Sequence, residues 1–194
     1  VSITSPKENS ILNKTQATTL SATASAEGTI SLSINNTQIA QTSGKEITAN
    51  YTFTENGNHW VIAKITSGTI SSYDSVPVYV RENTVIATKP SGYKKGINYL
   101  SDNSAALVLW APEKEFVYVT GSFNDWKLSE SYQMKKDGNY FWLEINNLTK
   151  GQQYPFQYYI DGKIKIADPY CEQISDPSND GSISATTYPG LIAY

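Results

Sequence analysis

The chain has 194 residues, a formal net charge of −3 and a sequence pI of about 5.2. Its length allows one medium domain or two small ones. The slightly acidic balance, without a basic patch, disfavours nucleic acid as a partner. The single cysteine, Cys171, leaves no intrachain disulfide and no cysteine-based zinc site. No run of 18 apolar residues is present, so we expect no membrane span.

The composition is typical of an extracellular β-protein. Only 17% of the residues are charged, tyrosine is abundant at 14 residues, and Ser, Thr and Asn fill much of the rest. The chain starts at Val1, without a methionine or a signal peptide. We therefore expect a processed piece of a longer bacterial polypeptide that is secreted, periplasmic or attached to the cell surface.

Apolar residues alternate with polar ones in the first half, which predicts β-strands. Ile30, Leu32 and Ile34 fall on one face of such a strand. A second strand ends near residues 51–53, and an Asn-Gly pair then precedes the apolar stretch 59–65. The Asn-Gly pair predicts that these last two strands form a hairpin.

The second half has the same alternation but far more aromatic residues. Gly- and Asp-containing turns separate its predicted strands, which cover residues 105–111, 116–121, 140–145 and 154–160. No sustained helical periodicity is present. We predict an all-β fold of two tandem immunoglobulin-like β-sandwiches, residues 1–84 and 85–194, each with about seven short strands. A single large barrel is the alternative, and the change in strand composition disfavours it.

Residues that could support catalysis are sparse. His59 is the only histidine, so we interpret it as a polar residue near the start of a strand. Cys171 has no histidine near it in sequence, and we interpret it as a half-buried thiol. The 18 acidic residues make some carboxylate pair inevitable, which is a weak signal for glycoside hydrolysis. We expect no catalytic residues and no cofactor in this chain.

One segment resembles the beginning of a calcium loop. Asp176, Ser178 and Asp180 alternate and are followed by Gly181. The twelfth position is Thr187 where such loops carry glutamate, and no helices flank the segment. A polar turn is the alternative interpretation, so the metal-site prediction is none, with these three residues as a weak candidate.

Four features occur in fixed order in the second half: GSFNDW at 121–126, the charged hairpin MKKDGNYFWLEINNL at 134–148, GQQYPFQYYIDG at 151–162 and ADPY at 167–170. Together, over roughly residues 93–194, they resemble the isoamylase N-terminal or glycogen-binding type of β-sandwich module. That module precedes the catalytic barrel in enzymes of the α-amylase superfamily, and a related one occurs in the β subunit of AMP-activated protein kinase.

The resemblance implies a carbohydrate site. In such modules the tryptophan of the F-N-x-W turn stacks on a glucose ring, and this role would fall to Trp126, with Asn124 shaping the turn. The family's lysine on the preceding strand is Gln157 here. Its second aromatic, after the D-G turn, is missing, because Lys163 and Ile164 follow that turn. Gln157 and Lys163 are the expected polar partners, and packing against another domain is the alternative role for Trp126.

The first half resembles bacterial immunoglobulin-like spacer modules. Taken together, the two resemblances imply a non-catalytic accessory region of a secreted α-glucan-degrading glycoside hydrolase. Its expected partners are the catalytic domain of the parent chain and an α-glucan such as starch, glycogen or maltooligosaccharide. Two alternatives stay open: a genuine α-glucan-binding module with Trp126 as its platform, and a structural or protein-interaction module. We expect Trp60, Trp110 and Trp142 to serve in core packing or in packing between domains.

Overall fold

A computed structural model of the chain describes residues 1–171, 173, 174, 176, 184 and 186. The chain divides into two compact units, Val1–Asn83 and a second unit that begins at Thr84. The all-β fold class is confirmed. In the described part, the helical elements are two single-turn 3-10 helices, Ser122–Asn124 and Glu130–Tyr132. No helix there has the length and apolar character that a membrane span requires.

The first unit contains six strands, and the prediction of short strands is wrong for it because two of them are very long. They are β1 (Ser2–Ser5), β2 (Ser10–Asn13), β3 (Ala17–Ile34), β4 (Thr37–Thr52), β5 (Gly57–Ser67) and β6 (Ile70–Arg81). β4 pairs with β3 along most of its length, whereas β1 pairs with the first part of β3 and β5 with the last part. Irregular pairing between Thr23 and Gly28 separates the two parts. The predicted alternation is confirmed, because Ile30, Leu32 and Ile34 are buried in one core cluster.

The predicted hairpin between residues 51–53 and 59–65 is wrong. β4 pairs with β3, and β5 pairs with β3 and β6. The Asn-Gly pair therefore connects two strands that flank β3 rather than reversing the chain within a pair. The rings of Phe53 and His59, on either side of this connection, meet edge-on in the core with centroids 5.3 Å apart. Burial of both rings favours this crossing over a hairpin.

In its described residues, the second unit is a two-sheet sandwich of seven strands. They are β7 (Gly96–Ser101), β8 (Ser104–Trp110), β9 (Val117–Gly121), β10 (Lys135–Asp137), β11 (Tyr140–Ile145), β12 (Phe156–Ile160) and β13 (Ile164–Ile166). One sheet has the order β10-β11-β8-β7 and the other the order β13-β12-β9. The four strands predicted from sequence in this half are β8, β9, β11 and β12. Their inward side chains, including Leu107, Val119, Phe141 and Tyr158, form the core.

The tryptophans in the strands differ in their surroundings. Trp142 is buried, as expected, although it points away from the core between the sheets, because the segment before β7 covers it. Its Nε1–H donates to Ala87 O at 2.9 Å, and the ring of Tyr93 meets it edge-on. Core packing is wrong for Trp60 and Trp110, which are about half exposed because they lie on outward strand faces that no such segment covers fully. Packing against another domain stays a prediction for these two residues.

Candidate functional site

The turn after β9 holds Trp126 in a defined position. The side chain of Asn124 bridges the turn: its Oδ1 accepts from Gly121 N–H at 2.9 Å and its Nδ2 donates to Val119 O at 3.0 Å. The N–H of Trp126 donates to Gly121 O at 3.0 Å. Asp125 and Trp126 both have positive φ values, 53° and 59°. Two consecutive residues in this left-handed region are uncommon outside glycine, so the hydrogen bonds must impose the conformation.

Trp126 is 40% exposed and lies on a groove of about 1140 Å³ in the second unit. Gln157 lines the same groove, so two of the predicted site residues are brought together. Asn124 shapes the turn through its backbone contacts and is not among the lining residues. Lys163 does not line the groove either, because it follows the far end of β12.

Gly121 allows the turn to lie directly against the segment that leads into β12. A Cβ atom on Gly121 would stand 2.6 Å from Pro155 O and 2.8 Å from Phe156 Cβ, closer than real Cβ atoms come. Ser122 N–H donates to Pro155 O at 3.0 Å. The position of Trp126 is therefore fixed relative to residues 154–156.

An aromatic row extends the surface next to the turn. Phe123 stacks on Tyr132 with centroids 5.2 Å apart, and its other neighbour is the ring of Tyr154 at 6.5 Å. Phe123 and Tyr154 line the groove with Trp126. Sequence reasoning missed both. The antiparallel pairing of β9 with β12, in which Gly121 faces Phe156, is what places Tyr154 beside the turn.

The charged residues on the groove balance one another. Two lysines and two aspartates line it: Lys95, Lys150, Asp102 and Asp168. Lys150 and Asp102 form an exposed ion pair at 3.0 Å, and Lys95 lies over the rings of Trp110 and Tyr170. Much of the remaining polar lining is amide or hydroxyl, including Gln152, Gln153 and Gln157. The groove therefore suits an uncharged ligand that offers hydroxyl groups.

One of the two carboxylates that line the groove is buried. Asp168 accepts hydrogen bonds from Tyr170 N–H at 2.9 Å and from the Tyr158 hydroxyl at 3.4 Å. Burial raises the pKa of Asp168, and the two hydrogen bonds only partly oppose this. Burial, reinforced by the nearby Asp168 charge, raises the pKa of Tyr158 well above its usual value. The pair anchors the A-D-P-Y segment to the core strand β12.

The aspartate of the D-G turn also has a structural task. Asp161 Oδ1 accepts from the N–H groups of Glu115 and Phe116, at 2.9 and 3.1 Å, and so fixes the loop between β8 and β9. Ile164, at the position of the family's second aromatic, is 45% exposed. This part of the motif therefore supplies no ring to the surface.

The remaining predicted residues lie elsewhere. His59 is buried in the first unit, where Nε2 and Nδ1 contact Glu55 O and Asn35 Nδ2. Cys171 is half-buried, and its thiol donates to Asp168 O at 2.8 Å. Of the calcium candidate, Ser178 and Asp180 lie outside the described residues. Within those described, no cluster of three or more His, Cys, Asp and Glu residues could hold a metal ion.

Comparison with known families assigns a model to each half of the chain. Residues 105–182 match the model described as the glycogen recognition site of AMP-activated protein kinase, and residues 1–63 match a bacterial Ig domain. The resemblance to accessory modules of α-amylase-superfamily enzymes is confirmed. The matches support an accessory carbohydrate-binding region.

Curated relatives cover the same part of the chain. A 1,4-alpha-glucan branching enzyme GlgB of Clostridium perfringens is 30% identical over 102 residues, which are 48% of this chain and 16% of that enzyme. A branching enzyme of Salinibacter ruber is 28% identical over 86 residues, 44% of this chain and 13% of that enzyme. The chain thus spans about a sixth of the length of these relatives or less.

Among solved structures, pullulanase type I from Bacillus subtilis complexed with maltose is 13% identical, with 89% of this chain and 26% of that chain covered and a TM-score of 0.35. A fibronectin(III)-like module of Clostridium thermocellum CbhA is 21% identical, and the match covers 41% of this chain and 94% of that module's chain, with a TM-score of 0.35. Structural likeness at these scores supports no argument about this chain.

Proposed function

We propose that this chain is a non-catalytic accessory region of a longer α-glucan-active enzyme, and that its second unit binds α-glucan along the groove at Trp126. The observation that carries the proposal is the position of Trp126. A half-exposed indole stands in a turn fixed by hydrogen bonds, on an electrically balanced groove, within the segment that matches a glycogen-recognition model.

The chemistry of the groove fits a sugar chain. An indole face offers flat apolar area to the apolar face of a pyranose ring. Amide side chains such as Gln157 both donate to and accept from sugar hydroxyls. Small-molecule pockets usually measure roughly 300–1,000 Å³, so the groove of about 1140 Å³ favours several linked sugars over one monosaccharide.

The first unit acts as a spacer under this proposal. Its described residues form an all-β unit that matches a bacterial Ig domain model, and its one histidine is buried with both ring nitrogens in contact with neighbours. We place the parent enzyme outside the bacterial cytoplasm, as a secreted, periplasmic or surface-attached protein acting on starch, glycogen or maltooligosaccharide. Its catalytic domain belongs to the remainder of that longer protein.

Native electrophoresis in gels with and without glycogen tests the proposal. The parent chain and a Trp126→Ala variant run beside Trp60→Ala, a matched control whose indole is 49% exposed in the first unit. We expect glycogen to retard the parent chain and the control but not Trp126→Ala. Equal mobility of the parent chain in both gels would reject α-glucan binding and favour the alternative of a protein-interaction module. Equal retardation of all three would reject Trp126 as the contact.

A further inference from the structure

A single stacking ring is too little to hold a glucan. One ring contributes about 1–3 kcal/mol, by analogy with base stacking on aromatics, whereas even a millimolar dissociation constant corresponds to about 4 kcal/mol. The D-G turn leads into Lys163 and Ile164 and supplies no second ring. Another aromatic side chain on the same groove would supply much of the missing free energy of binding.

We infer that Tyr154 is that second ring. It lines the groove together with Trp126 and is only half-buried. It belongs to the loop before β12, within the segment 151–162 and outside the F-N-x-W turn that carries Trp126. The inference rests on the proposed function, and it makes Tyr154 a residue that sets the affinity and the chain length of the glucan bound.

The position of Tyr154 relative to Trp126 is fixed by backbone contacts. Trp126 is hydrogen-bonded to Gly121, and the residue after Gly121 is hydrogen-bonded to Pro155 O, next to Tyr154. The missing Cβ of Gly121 is what allows this approach. The ring of Phe123 also packs beside Tyr154, since the two rings are in contact. Two rings held in a fixed relation lose little conformational entropy on binding, which favours affinity.

The hydroxyl of Tyr154 is already engaged within the protein. It accepts from Thr149 N–H at 2.9 Å and donates to Gln152 Oε1 at 3.2 Å. Both contacts lie in the turn between β11 and β12, so they orient the ring from its polar end. Tyr154 therefore offers a ligand its ring face rather than its hydroxyl group. This separates its role from that of a hydrogen-bonding residue such as Gln157.

The partner that fits is an uncharged oligosaccharide. The formal charges on the groove cancel, and its acidic and basic groups are engaged with neighbouring residues. Aromatic faces and amide groups remain as the contacts available to a ligand. A ring pair bridged by such a groove is suited to two or more linked glucose units, so maltoheptaose is an appropriate probe and maltose a short comparison.

Isothermal titration of the whole chain with maltoheptaose tests the inference. Tyr154→Ala and Tyr154→Leu remove the ring, whereas Tyr154→Phe keeps it and removes the hydroxyl. Tyr73→Ala is the matched control, because this tyrosine is 76% exposed in the first unit. We expect Tyr154→Ala and Tyr154→Leu to weaken binding about 5- to 150-fold, and Tyr154→Phe and the control to stay within about twofold of the parent chain.

The other possible results distinguish failure of this inference from failure of the proposed function. Parent-like affinity in Tyr154→Leu, with binding lost in Trp126→Ala, would overturn the second ring and leave the proposed function intact. An equal loss of affinity in Tyr154→Phe and Tyr154→Leu would assign the effect to the hydroxyl group, and this would also overturn the inference of a second ring. No binding by the parent chain would reject the proposed function itself. Thermal melting identifies any variant that fails to fold. If Tyr154→Ala is unfolded, the binding result rests on Tyr154→Leu, which keeps the apolar volume of the side chain.

Discussion

The hydroxyl of Tyr158 donates a hydrogen bond to Asp168 Oδ2 across 3.4 Å, with both side chains withdrawn from solvent. Tyr158 lies in the core strand β12, and Asp168 lies in the A-D-P-Y segment that follows β13. A buried carboxylate with few partners destabilises the folded state when it is charged. The burial of Asp168, which the bond to Tyr158 offsets only in part, therefore makes the stability of the second unit depend on pH.

Replacing Asp168 by Asn tests that dependence. Because burial raises the pKa of Asp168 in the folded state, the carboxyl favours folding while it is protonated. That contribution is fully present below the unfolded pKa, about 3.9, and is lost as the pH rises through the folded value. We expect the free energy of unfolding of Asp168→Asn, relative to the parent chain, to increase from pH 3.5 to pH 7. Urea unfolding at several pH values measures it, and a pH-independent difference would contradict the account.

Gly121 should tolerate no side chain. An added Cβ would meet the backbone oxygen of Pro155 at 2.6 Å, so the turn and the segment before β12 must separate. Overpacking of this kind costs about 1–3 kcal/mol. We expect Gly121→Ala to lose that stability and to reduce retardation in glycogen gels. Gly92→Ala is the control, because a Cβ there meets nothing within 4 Å, and equal effects of the two changes would disprove the packing argument.

Asn124 should act on binding through the shape of the turn. Asn124→Ala removes both side-chain hydrogen bonds and leaves Gly121 N–H and Val119 O without them. We expect a loss of about 1–3 kcal/mol in stability and weaker retardation in glycogen gels. Asn124→Asp keeps an acceptor for Gly121 N–H but cannot donate to Val119 O, so its effects should be intermediate. Wild-type glycogen affinity in Asn124→Ala would show that the turn keeps its shape without the bridge.

Trp142 should fasten the segment before β7 to the outer face of the sheet. Trp142→Phe keeps an aromatic ring but loses the part-buried hydrogen bond to Ala87 O, at a cost of about 0.5–1.5 kcal/mol. Hydrogen exchange should then accelerate at the Ala87 amide, which is bonded to Lys136 O. Trp110→Phe is the control on an exposed site. Unchanged exchange at Ala87 in Trp142→Phe would contradict the role of the indole N–H.

Local patterns predicted the strands better than their partners. Alternation placed Ile30, Leu32 and Ile34 correctly on one face, and the aromatic stretches of the second half matched β8, β9, β11 and β12. The Asn-Gly pair after β4 misled because hairpin signals describe a turn, whereas pairing depends on non-local contacts. β4 and β5 instead flank β3.

Sequence reasoning recovered the turn of the candidate site but not its surroundings. The motif placed Trp126 and Asn124 in one turn, since their spacing is local. Tyr154 lies 28 positions after Trp126, and only the register of β9 against β12 brings it beside the turn. The exposure of Trp60 and Trp110, and the burial of Trp142, depend on whether an irregular segment covers a strand face, which strand periodicity does not encode.

The most direct test of the account is ¹⁹F NMR of the chain labelled with 5-fluorotryptophan, titrated with maltoheptaose. The chain has four tryptophans, and single Trp→Phe variants assign their resonances. The account predicts that the Trp126 resonance shifts and saturates, while those of Trp60, Trp110 and Trp142 stay in place. A static Trp126 resonance at millimolar maltoheptaose, or a shift confined to another tryptophan, would contradict it.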